Sequence, residues 1–204
     1  LLSPTHKCVI IGHRYFNTPL GTYYSALLIW SSLLLVTGGA LFLALLAQIA
    51  IPVPGSPVPV TGQTLGVLLL ATAYGANMGA ATFALYLLIG IAGAPVFANR
   101  GFGIERLIGP TGGYLIGMLI ASWVLGALAG RKWDQRLRTA LVTMLIGSLI
   151  IFTFGLIWLQ QYTGKDWAWT FSAGLTPFIF GEILKIAIAG TALPTVWKVV
   201  GRTR

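Results

Sequence analysis

One cysteine, two histidines and four acidic residues are all that 204 residues hold of the side chains most used for metal binding and acid–base chemistry. Cys8 alone can form neither an intramolecular disulfide nor, within one chain, a thiolate metal cluster. His6 and His13 are the only histidines and no His-Glu-x-x-His occurs, so a metalloprotease or haem role finds no ligands and no metal is expected. No Gly-x-x-x-x-Gly-Lys-Ser/Thr occurs, which excludes ATP binding through a P-loop. Charged residues make up 8% of the chain, against about 25% in soluble domains. A chain so poor in charge cannot cover a water-facing surface. Its apolar runs are long and continuous rather than alternating, which argues against a β-barrel. An all-α integral membrane protein, with lipid as its surroundings, is therefore expected. The net charge of +9 would suggest nucleic acid in a soluble protein. Here the cations fall in loops and tails, which points to membrane topology and to no nucleic-acid partner.

What is present is apolar sequence broken at readable points. Residues 1–23 mix Lys7 and Arg14 with apolar and aromatic residues and read as an interfacial lead-in. The run that follows is too long for a signal peptide. Residues 24–204 read as one substrate-binding membrane domain of six transmembrane helices, one of them short. The first span is Tyr24 to Ile51. A loop follows with Pro52, Pro54, Pro57 and Pro59, which forbid a helix. The short stretch Gln63 to Ala73 covers ~17 Å, less than a hydrocarbon core of ~30 Å. It forms a hairpin with the next stretch, Ala76 to Gly93. Residues 94–110 are the longest polar loop. Further spans are Thr111 to Gly130, Thr139 to Leu159 and Phe171 to Trp197, joined by a basic connector, 131–138, and a polar loop, 160–170. With the N-terminus inside, nine loop and tail Lys and Arg residues fall inside and three outside, so both termini are expected in the cytoplasm. The proline-rich loop, the 94–110 loop and the start of the last span then face outwards.

The candidate site comes from the breaks in apolar character. In Gly109-Pro110-Thr111-Gly112-Gly113-Tyr114, Pro110 suits a helix start, Thr111 can cap the first turn, and Gly112 and Gly113 can bring backbone amides close to a ligand. Tyr114 is well placed to line a pocket, and Asn99 and Arg100 offer amide and guanidinium groups. Glu182 and Lys185 lie inside an apolar span at i and i+3, on one helix face. Charges in a membrane span cost a few kcal/mol, so such a pair is by default a candidate functional site, the alternative being a self-neutralising pair that snorkels to the outer interface. As a site, the pair could serve as acceptor and donor for a small polar solute. The first five spans hold no acidic residue, which equips a self-sufficient proton-coupled carrier poorly. No other group suits catalysis, so no enzyme is expected.

Several blocks together resemble a known family: Ile51-Pro52-Val53-Pro54, Pro57-Val58-Pro59-Val60-Thr61-Gly62-Gln63-Thr64, Tyr86-Leu87-Leu88-Ile89-Gly90, Gly93-Ala94-Pro95-Val96-Phe97, Gly109 to Gly117, and Pro177-Phe178 with Gly181-Glu182-x-x-Lys185. They are similar to BioY, the biotin-binding S component of energy-coupling factor (ECF) vitamin transporters. The resemblance runs over about residues 30 to 195. It implies high-affinity capture of biotin from outside, biotin being the transported ligand and no cofactor. It also implies delivery across a bacterial cell membrane with a transmembrane coupling subunit and two ATPase subunits. It adds Thr61 and Gln63 to the candidate substrate-binding residues. Ala40 and Ala44 match the small residues that contact the coupling subunit. The family's usual Asp before the lysine is Glu182 here. An S component for another vitamin, or a self-sufficient small-solute carrier, is the alternative function.

Overall fold

The computed structural model describes residues 20–201. The lead-in assigned to residues 1–23 lies outside the described residues except for its last four, which the first helix takes in. Helix α1 (Leu20–Gln48) ends before Pro52, where the proline-rich loop begins. Ile51 precedes Pro52 and is pushed towards extended backbone. Ala50–Ile51 (β1) accordingly pairs antiparallel with Val60–Thr61 (β2), Ala50 opposite Thr61 and Ile51 opposite Val60. The expected span to Ile51 is thus too long, and a two-residue ladder interrupts the otherwise helical fold. Prolines cannot donate to a ladder, so pairing is confined to the residues flanking the proline-rich loop.

The ladder sets down α2 (Gln63–Tyr74), followed by α3 (Ala76–Ile91). Gly75, at φ 82°, makes the break between them. At 12 and 16 residues the two helices reach ~18 and ~24 Å, both short of a full hydrocarbon core. The polar loop is partly structured: a 3₁₀ turn at Ala98–Arg100 precedes the one-turn helix α4 (Glu105–Ile108). Helices α5 (Gly112–Gly130) and α6 (Leu137–Thr163) follow, α6 running past both expected ends. Thr111 stands at the N-cap of α5 without capping it; its hydroxyl donates instead to the Arg106 carbonyl at 3.1 Å. The last expected span is broken. Asp166 caps α7 (Trp167–Gly174), accepting from the Trp169 N–H. Pro177 then forces a 3₁₀ turn, Thr176–Phe178, and α8 runs over Ile179–Gly201.

Among the described residues four stretches are long and apolar enough to cross a membrane: Ser25–Gln48, Gly112–Gly130, Leu137–Thr163 and Trp167–Val199. On α1 the large side chains Leu28, Trp30, Leu34, Leu41 and Leu45 are exposed. Such a face is stable against lipid, and the protein is a membrane protein.

Helix α5 is the centre of the bundle, packing on α6 and also on α2 and α3. Its closeness to α6 requires small residues. A Cβ on Gly113 would lie 2.2 Å from Trp158 Cβ and 2.5 Å from the Phe154 carbonyl oxygen, and one on Gly117 would lie 2.9 Å from Ile151 Cα. In a membrane such backbone approach, rather than hydrophobic drive, holds helices together. Gly113→Ala should therefore lower the thermal midpoint in detergent, at a cost of about 1–3 kcal/mol. Gly38→Ala, with nothing within 4 Å of its Cβ, should leave the midpoint within error. Equal midpoints for the two variants would contradict this crossing.

Candidate ligand cavity

The polar centre is assembled from three helices. On α8, Glu182 and Lys185 form an ion pair, Lys185 Nζ to Glu182 Oε2 at 3.3 Å. On α2, Thr64 joins both: its hydroxyl donates to Glu182 Oε2 at 3.1 Å and accepts from Lys185 Nζ at 2.7 Å. On α6, Ser148 donates to Glu182 Oε1 at 2.7 Å. Glu182 is 6% exposed. Among the described residues this is the only ion pair. A buried pair is stable only when its remaining hydrogen-bonding capacity is met, and two hydroxyls meet most of it here. One ammonium donor and one carboxylate lone pair are left over.

Thr64, Glu182 and Lys185 line a cavity between α2, α5, α6 and α8, which Val58 and Pro59 of the proline-rich loop also line. The cavity holds about 640 Å³ counting its opening. Tyr114, Phe152 and Phe178 give the cavity an aromatic wall. Tyr114 stacks on Phe178 at 6.3 Å, and Phe152 meets Tyr114 edge-on at 6.0 Å. The Tyr114 hydroxyl donates to the Gly174 carbonyl at 2.8 Å, so this residue offers a guest its ring. A second network backs the loop: Thr61 donates to Gln63 Oε1, Gln63 Nε2 donates to Tyr86 Oη, and Tyr86 donates to the Val96 carbonyl.

Of the residues singled out in the sequence, Thr61, Gln63, Thr111, Tyr114, Glu182 and Lys185 line this cavity. Four do not. Asn99 and Arg100 are exposed, in left-handed conformation at φ 56° and 55°, and Arg100 donates its backbone N–H to Gln48 Oε1. They shape the turn that presents Phe97 and Ala98 to the cavity. Gly112 and Gly113 face protein: a Cβ on Gly112 would lie 1.8 Å from the Leu107 carbonyl oxygen, and Gly113 abuts Trp158. Their missing side chains serve packing rather than an amide cradle. The alanine pair is split as well. Ala40 is 2% exposed and points inwards, while Ala44 is half-buried beside a groove lined by Leu41, Leu45 and Val96, so the two form no exposed stripe.

Sequence reasoning passed over Thr64, Ser148 and Arg106. Arg106 lines the cavity, packs against Gly101, and among the described residues has no carboxylate within ion-pair distance. Among the described residues no cluster of three metal-ligating side chains occurs.

Fold and cavity together define a class: an integral membrane helical bundle with a small-solute cavity lined by both polar and aromatic side chains. The chain belongs to the BioY family, whose family model matches residues 21–202. The biotin transporter BioY2 of Lactococcus lactis subsp. cremoris is 40% identical over 168 residues, covering 79% of this chain and 89% of that protein. The biotin transporter BioY of Thermotoga maritima is 37% identical over 139 residues, covering 68% and 80%. In fold the chain is similar to the S-component for biotin from an ECF-type ABC transporter, a crystal structure at 2.1 Å, with TM-score 0.75, 22% identity, and coverage of 82% of this chain and 91% of that one.

If the two charges exist for each other, removing one should cost more than removing both. Lys185→Met alone should destabilise the ligand-free protein by about 3–5 kcal/mol, whereas the double variant Glu182→Gln/Lys185→Met should recover most of that loss. Chemical denaturation in detergent reads the cycle, and additive losses would contradict the pairing.

Proposed function

We propose that this chain binds biotin in the cavity and acts as the biotin-specific S component of an ECF-type transporter. The observation that carries this reading is the Glu182–Lys185–Thr64 group in a cavity that also has an aromatic wall of Tyr114, Phe152 and Phe178. Biotin has matching chemistry: a ureido group with N–H donors and a carbonyl acceptor, an apolar ring system, and a carboxylate tail. The ureido N–H groups suit the Glu182 carboxylate and its carbonyl suits the spare Lys185 donor. The ring system suits Tyr114, Phe152 and Phe178, and the carboxylate suits Arg106. Thr61, Gln63 and Thr111 complete the polar lining, with Asn99, Arg100, Gly112 and Gly113 acting through the loop and helix start that shape it. Family membership and relatives named as biotin transporters support the same ligand.

In this reading residues 24–204 form the membrane domain, crossing a bacterial plasma membrane six times when α2 and α3 are taken with the four longer spans. The charge bias of the loops supports cytoplasmic termini and a cavity opening outwards. A transmembrane coupling subunit and two ATPase subunits supply the energy, since the chain has no P-loop of its own. Isothermal titration should show tight biotin binding, weakened at least about tenfold by Lys185→Ala or Glu182→Ala. Full affinity in both variants would remove the proposed site. Arg106→Ala should weaken biotin but leave the affinity for biotin methyl ester unchanged; an equal loss for both ligands would assign the carboxylate elsewhere.

A further inference from the structure

The end of the bundle away from the cavity is built differently. A second recess opens between the C-terminal ends of α2, α5 and α8. Ala73, Tyr74, Leu193, Val196, Trp197 and the largely buried Asp134 line it, and it holds about 740 Å³ counting its mouth. At its rim lies the α5–α6 connector, where Arg131, Lys132, Arg136 and Arg138 are all exposed, as is Lys198 on the last turns of α8. The connector is a compact set of turns: the Arg131 N–H donates to the Leu128 carbonyl and the Lys132 N–H to the Ala129 carbonyl. Its one acidic residue is withdrawn. Asp134 is 4% exposed, Oδ2 accepts from the Trp197 indole N–H, and Oδ1 is buried with no hydrogen-bond partner. The exposed surface here therefore carries cations with no exposed carboxylate, beside a largely apolar recess in whose wall Asp134 is buried.

We propose that this end of the bundle binds an anionic phospholipid, with its phosphate on the connector cations and an acyl chain in the recess. Arginine forks suit phosphate oxygens, and each cation near an anionic membrane surface adds attraction. Trp133 and Trp197 flank the site, as expected at the level of lipid headgroups. Topology alone asks only for positive charge on one side; it requires neither the recess nor the burial of Asp134. Free phosphate or an acidic protein surface would use the cations and leave the recess empty. The site lies apart from the ligand cavity and does not depend on which ligand fills it.

Native mass spectrometry of the full chain, released from a neutral detergent and titrated with phosphatidylglycerol or phosphatidylcholine of equal chain length, tests this. Phosphatidylglycerol should be retained in preference. Arg131→Gln/Lys132→Gln should reduce that preference by roughly fivefold per charge removed. Val196→Trp, which keeps every cation and fills the recess, should reduce retention of phosphatidylglycerol but not binding of inorganic phosphate. Thermal midpoints check that both variants fold. If the double variant does not, salt on the unaltered chain serves instead, because screening shortens to about 3 Å at 1 M and should abolish the headgroup preference. Equal retention of both lipids, a preference indifferent to charge removal and salt, or full retention by Val196→Trp would each overturn the proposal.

Discussion

Lys185 and Glu182 stand 3.3 Å apart where a membrane domain tolerates neither charge alone, and the arrangement around them follows from that constraint. The pair needs hydroxyls, so α2 must deliver Thr64 and α6 must deliver Ser148 to the same point. It needs a low-dielectric surround to hold its geometry, which the aromatic cluster of Tyr114, Phe152 and Phe178 supplies. The charges are paired but not saturated. A polar solute can therefore enter by completing the network, without separating the two charges.

Position is supplied by backbone rather than by side chains. The proline-rich loop cannot pair internally, so the short ladder between β1 and β2 closes it and fixes the start of α2, placing Gln63 and Thr64 inward. The α5–α6 crossing depends on glycines whose Cβ positions are already occupied by the neighbouring helix. The break at Pro177 lets α7 lie separately from α8, and the Gly174 carbonyl at the end of α7 takes up the Tyr114 hydroxyl. Each irregularity in the chain thus serves to aim a group at the cavity or to anchor its wall.

Much of this was legible in the sequence. The spans were visible as apolar runs, and the charged pair was visible because Glu182 and Lys185 interrupt one of them. The glycines at 112 and 113 were legible as sites of close approach, but sequence does not say what approaches; Trp158, Phe154 and Leu107 do so from elsewhere in the chain. Ser148 was illegible, since serine in an apolar helix commonly bonds its own backbone and only tertiary packing sets it against Glu182. Arg106 stood in a loop already marked as charged, yet only the fold brings it to the cavity and leaves Asn99 and Arg100 on the outer side of the turn. The break in the last span was signalled by Pro177, whose position near a helix start concealed that another helix precedes it. Ala40 and Ala44 show the limit of spacing arguments: one turn apart, they differ in burial because the bundle covers one end of the stripe and not the other.

A structure of the chain with biotin bound tests the central claim most directly. The account predicts the ureido group within hydrogen-bonding distance of Glu182 and Lys185, the rings against Tyr114 and Phe178, and the carboxylate directed to Arg106. Biotin bound away from Glu182 and Lys185, or reversed with its carboxylate on Lys185, would contradict it.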